Sequence, residues 1–149
     1  MLTTETQGFE FRDSVLRLQD AMMEMEEKVD CPVRHIFAPG CYAREMLIPA
    51  GTVIIGKIHK HAHLNFISKG KVRVATEFGH EIFEAPHTFV SEVGTKRAVH
   101  ALEDTIWTTV HVTDETDLEK IEEYVIAKSY DELNALPHDG VDLIEGCAL

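Results

Sequence analysis

The stretch from residue 56 to 70, Gly-Lys-Ile-His-Lys-His-Ala-His-Leu-Asn-Phe-Ile-Ser-Lys-Gly, sets His59, His61 and His63 at alternate positions just ahead of a glycine. In an extended chain alternate side chains share one face, so three imidazoles can converge there, with Asn65 and Ile67 in the same phase and Leu64 and Phe66 on the other side. Neutral imidazole nitrogens suit divalent zinc, iron, nickel, copper or manganese. Two or three of them leave open positions for water or a substrate.

Outward from this stretch, short runs rich in Val, Ile, Phe and Thr alternate with turn residues at Pro39-Gly40, Pro49-Ala50-Gly51, Gly70, Phe78-Gly79, Pro86, Gly94 and Asp104. The pattern predicts strands over Tyr42 to Ile48, Val53 to His59, His63 to Ser68, Lys71 to Glu77, Glu81 to Ala85, Thr88 to Val90, Arg97 to Leu102 and Thr105 to Val112. With no helices between them, these strands pair antiparallel. A sandwich or closed barrel hides their edges.

Two helical segments flank the strands. Phe11 to Lys28 carries Val15, Leu16, Leu18, Met22, Met23 and Met25 among charges, with Asp13 or Ser14 as a cap and Cys31-Pro32 as the stop. Beyond Thr113, a run with Leu118, Ile121, Val125 and Ile126 on one side predicts a second helix, followed by a tail with Pro137, Gly140 and Gly146. The expected organisation is one domain: a helical segment over 1–32, a barrel over 33–113, and a helix with a tail over 114–149. A chain of 149 residues is long enough for one core, burying roughly 70% of the surface the unfolded chain exposes.

Composition excludes several functions. The net charge is -12, from 26 acidic and 14 basic residues, which repels phosphate backbones and anionic membranes, so nucleic acid and membrane are not expected partners. No apolar run is long enough to span a bilayer and the start MLTTETQGFEFRD lacks signal-peptide character, which makes the cytoplasm the expected compartment. Cys31, Cys41 and Cys147 have no Cys-x-x-Cys spacing, as expected for reduced structural thiols. Gly-rich phosphate loops, Gly-x-Ser-x-Gly and His-Glu-x-x-His are absent from the sequence.

From Cys41 to Val112 the chain resembles the cupins, whose first motif places a His-x-His pair, three or four residues, a glutamate, six residues and a glycine. His63 stands six residues before Gly70, at the glutamate position, and His59 matches the second histidine of the pair, while Lys57 replaces the first. In the second motif, Gly94 keeps the turn glycine and Arg97 falls on the ligand histidine. His100, three positions on, reaches a cavity only if the strand is re-phased by a bulge. His111 is a further possible donor. The wording GKIHKHAHLNFISKGKV and GTKRAVHALEDTIWTTVH also resembles small cupin-like proteins of tailed bacteriophages.

The resemblance implies a mainly β, cupin-type small antiparallel barrel (a double-stranded β-helix) with an N-terminal and a C-terminal helix. It also implies a divalent transition metal (Zn, Fe, Ni or Mn) on His59, His61, His63 and His100, a small anionic molecule held by Asn65 and Arg97, and a homo-oligomer. The alternative is a non-catalytic accessory or structural cupin acting through ligand or protein binding.

Overall fold

The computed structural model describes residues 4–135. The barrel is built from eleven short strands: β1 (Val33–Ala38), β2 (Cys41–Ile48), β3 (Val53–Ile55), β4 (Ile58–His59), β5 (His63–Lys69), β6 (Lys71–Thr76), β7 (Gly79–Glu84), β8 (His87–Ser91), β9 (Ala98–Ala101), β10 (Thr105–Val112) and β11 (Ile126–Ala127). Every pairing is antiparallel. One sheet runs β1-β2-β10-β5-β8, a second β3-β9-β6-β7, and β11 pairs with β4 alone.

The two larger sheets pack face to face. Ile48, Ile67 and Trp107 from the five-stranded sheet meet Val72, Val74, Val99 and Ala101 from the four-stranded one in a single core cluster. Alternation explains the choice of residues, as in β5, where His63, Asn65 and Ile67 are buried and Leu64 and Phe66 are not. Gly70 carries the chain from β5 to β6 with φ +94. A Cβ there would lie 2.7 Å from Thr105 Cα and also meet the carbonyl oxygen of Asp104. Only glycine combines that backbone angle with so close an approach.

The outer face of the five-stranded sheet carries an unbroken apolar row. Ile36 pairs with Ala43, Ala43 with Val110, Val110 with Leu64 and Leu64 with Val90. Ile36, Leu64 and Val90 are exposed.

The flanking segments differ from the sequence expectation. α1 spans Thr4–Met23, so Asp13 and Ser14 lie inside the helix and cap nothing. Val15 is its one buried apolar side chain among the core residues, and Arg12 bonds Glu77 at 3.0 Å while Lys96 bonds Gln19 at 2.6 Å. Val33–Ala38, outside the expected strands, forms the edge strand β1.

The expected second helix is split into α2 (Leu118–Val125) and α3 (Tyr130–Asn134), with β11 between them. Asp117 caps α2 by accepting from the amides of Glu119 and Lys120, as an N-cap carboxylate does. Helical spacing continues through Ile126, but there the chain turns extended to pair with His59, and tertiary pairing overrides the local pattern. The tail with Pro137, Gly140, Gly146 and Cys147 lies outside the described residues.

Candidate functional site

One end of the barrel holds a cavity of about 680 Å³. Alternation aims Tyr42 and Arg44 of β2, His63 and Asn65 of β5, and Trp107 and His111 of β10 into it, while Arg97 approaches from the turn ahead of β9. α2 walls one side: Ile121 and Val125 pack with Tyr42 in a small second core.

His59, His63 and His111 form one cluster. Ring centres are 4.3 Å apart for His59 and His63, 4.7 Å for His63 and His111, and 5.7 Å for His59 and His111. His63 Nδ1 lies 3.3 Å from the His61 carbonyl. A carbonyl only accepts, so Nδ1 carries the proton and Nε2 keeps its lone pair. His59 Nδ1 is buried and has no hydrogen-bond partner among the described residues.

Burial is the main force on these groups. It lowers His59 to about 3, helped by the neighbouring His63, His111 and Arg97 and opposed by a backbone hydrogen bond with Lys57. His111 falls to about 4, by burial first and then by His63, His61 and Arg44. His63 is lowered too, by burial and more weakly by Arg97, against the bond to His61. At neutral pH all three rings are uncharged.

Two of the four expected histidines stand elsewhere. β4 ends at His59 and the chain bends through Lys60 to Ala62, so strict alternation is lost. His61 stacks on Tyr124 of α2 with ring centres 4.5 Å apart and does not join the cluster. His100 sits in β9 between Val99 and Ala101, both buried in the core. Its side chain therefore takes the opposite face, and no bulge brings it inward. His111 takes the third place instead. Its signal in the sequence was its phase, since it shares the face of Trp107 four residues earlier.

Asn65 and Arg97 both line the cavity, with different consequences. Asn65 is 1% exposed; its Nδ2 donates to Ser91 Oγ at 2.6 Å and its Oδ1 accepts from Trp107 Nε1 at 3.0 Å. Its polar atoms are spent on holding β5, β8 and β10 together. Arg97 forms no ion pair with a carboxylate among the described residues. Burial lowers its pKa to about 10, which leaves it cationic at neutral pH. Lys57, also on the cavity wall, is paired with Glu122.

A metal ion fits this set poorly as it stands. No group of three or more His, Cys, Asp or Glu among the described residues is arranged to hold one. The cluster has no carboxylate to offset a dication, and the Arg97 guanidinium adds a like charge.

The architecture of two facing antiparallel sheets around a cavity is the cupin fold. Similar solved structures include an ectoine synthase from P. lautus (TM-score 0.53, 15% identity, 72% of this chain and 86% of that one). A cupin superfamily protein from Desulfitobacterium hafniense gives a TM-score of 0.51 at 7% identity over 63% and 87% of the two chains. A salicylate 1,2-dioxygenase from Pseudaminobacter salicylatoxidans gives 0.54 at 10% identity over 79% of this chain and 35% of that one. At such identities the likeness shows the fold and no activity. No protein-family model and no curated protein matches the chain. These comparisons give no support to a phage origin. No described helix is long and apolar enough to cross a membrane.

Proposed function

We propose that the chain is a small-molecule-binding cupin whose cavity takes a small anion on Arg97, beside the neutral imidazoles of His59, His63 and His111. The observation that carries this is the half-buried guanidinium facing the cavity without a carboxylate partner among the described residues. A desolvated guanidinium is a strong, fork-shaped donor for carboxylate or phosphate. Neutral His59 and His111 each carry one N–H, whereas that of His63 is spent on the His61 carbonyl.

Calorimetric titration with acetate and with inorganic phosphate tests this. Wild-type protein is expected to bind one of them saturably, with Arg97→Gln weakening it at least about tenfold, the equivalent of one charge-assisted hydrogen bond. A wild-type protein that binds neither at millimolar concentration sinks the proposal.

A second reading, a metal ion on the same three imidazoles, rests on ring spacing alone and runs against the charge balance described above. Three imidazoles sharing one ion at ~2.1 Å place their ring centres roughly 4.5 to 5.5 Å apart, close to the spacing of this cluster. On that reading Zn, Fe, Ni or Mn is drawn onto His59, His63 and His111. Stoichiometric metal in untagged protein, lost in His63→Ala and His111→Ala and retained in Arg97→Gln, selects it over the anion reading.

A second copy of this chain is the proposed protein partner, on the row from Ile36 to Val90. At a net charge of -12 self-association is least opposed where the surface is uncharged, and this row carries no charge. Light scattering is expected to show a dimer that Leu64→Asp converts to a monomer. A wild-type monomer at micromolar concentration counts against it.

A further inference from the structure

Arg97 faces two openings. Besides the histidine-lined cavity it lines a groove of about 480 Å³, and Thr95 is common to both. The groove follows the seam where the sheets part, since it takes Phe83 from β7 and His87 and Phe89 from β8, the edge strands of the two sheets.

The wall of this groove is aromatic. Ring centres lie 4.5 Å apart for Phe83 and His87, 4.6 Å for Phe83 and Phe89, and 5.3 Å for His87 and Phe89. The guanidinium carbon of Arg97 stands 5.3 Å from the centre of the Phe89 ring, within cation–π range. Phe78 also lines the groove and is 77% exposed.

Charge limits what fits. Glu81 and Glu92 line the groove, and one guanidinium cannot offset the charge of a phosphate ester beside two carboxylates. A single negative charge on an apolar body suits the surroundings, and a planar body suits aromatic walls, which prefer offset or edge-on rings.

We propose that the ligand of the Arg97 site is a planar, apolar monocarboxylic acid, its carboxylate on the guanidinium and its body along Phe83, His87 and Phe89. The assignment rests on the anion site proposed above. It adds what that site alone does not require, a preference for the body behind the carboxylate.

Calorimetric titration with benzoate, acetate and benzyl alcohol tests it. Benzoate is expected to bind at least about tenfold more tightly than either of the others, one ring's stacking being worth roughly that factor. Phe78→Ala, at an exposed position, and Phe83→Leu, which keeps the side chain apolar, are expected to bring the benzoate-to-acetate ratio toward one. Trp107, the sole tryptophan, stands edge-on to Phe89 with ring centres 5.6 Å apart, so its fluorescence reports occupancy independently. If benzoate binds no better than acetate, or its advantage survives both phenylalanine substitutions, the proposal is overturned while the anion site stands. If wild-type protein binds phosphate but neither carboxylate, the proposal is likewise overturned while the anion site stands; if it binds none of the three anions, the anion site itself falls.

Discussion

Gly70→Ala is expected to be the most damaging single-methyl change in the protein, lowering stability by about 3 to 5 kcal/mol and the melting temperature by roughly 10 °C. Two independent costs combine. The backbone at Gly70 has φ +94, a conformation that L side chains rarely adopt. The added Cβ would also lie 2.5 Å from Thr105 Oγ1 and 2.7 Å from Thr105 Cα, and meet the carbonyl oxygen of Asp104. Rotation of the Thr105 side chain relieves only one of these contacts, since the others are backbone. Gly40→Ala is the control: its φ is +79, but nothing lies within 4 Å of the added Cβ, so it carries only the conformational cost of about 1 kcal/mol. Thermal unfolding of the two variants side by side decides; equal losses would mean that the Asp104–Thr105 approach contributes nothing.

The second large effect is loss of stability in mild acid. An unfolded histidine takes up a proton near pH 6.5, whereas folded His59 and His111 hold out to about 3 and about 4. Between pH 6.5 and 4 the unfolded chain therefore binds protons that the native state refuses. Stability is fully present above pH 6.5 and falls as the pH drops, by up to about 1.4 kcal/mol per pH unit for each such histidine. The double variant His59→Gln, His111→Gln is expected to flatten this slope between pH 6.5 and 5, before carboxylates begin to titrate. Parallel slopes for variant and wild type, measured by denaturant unfolding, would show that the two imidazoles titrate normally.

The barrel was legible because its signals are local. Alternating apolar residues and glycine or proline turns marked eight runs, Thr105 to Val112 to the residue; the expected Val53 to His59 strand is broken into β3 and β4, which pair in different sheets, and Val33–Ala38 shows no burial alternation to read. The site was legible in part. Motif spacing singled out His59, His63 and Arg97 by their offsets from a turn glycine, and all three line the cavity. His61 followed the same alternation, but the strand stops at His59 and nothing local announces the bend. His100 and His111 needed the strand phases, which packing sets: buried Val99 and Ala101 turn His100 outward, and buried Trp107 turns His111 inward. Asn65 has the expected position and a different occupation, because its partners Ser91 and Trp107 are distant in sequence.

The β4–β11 pair bears on how far the barrel and its site can be separated. His59 pairs with Ile126, the Lys60 amide donates to the Val125 carbonyl at 2.8 Å, and the His59 carbonyl accepts from Gly94. The backbone that aims His59 is thus held from both sides by segments far along the chain, one of them C-terminal to the two large sheets. A fragment ending at residue 113 keeps both large sheets and the core between them, yet loses the partner strand that fixes this imidazole. Barrel and cavity wall are not modular here: transplanting the cavity into another barrel means carrying the C-terminal segment with it.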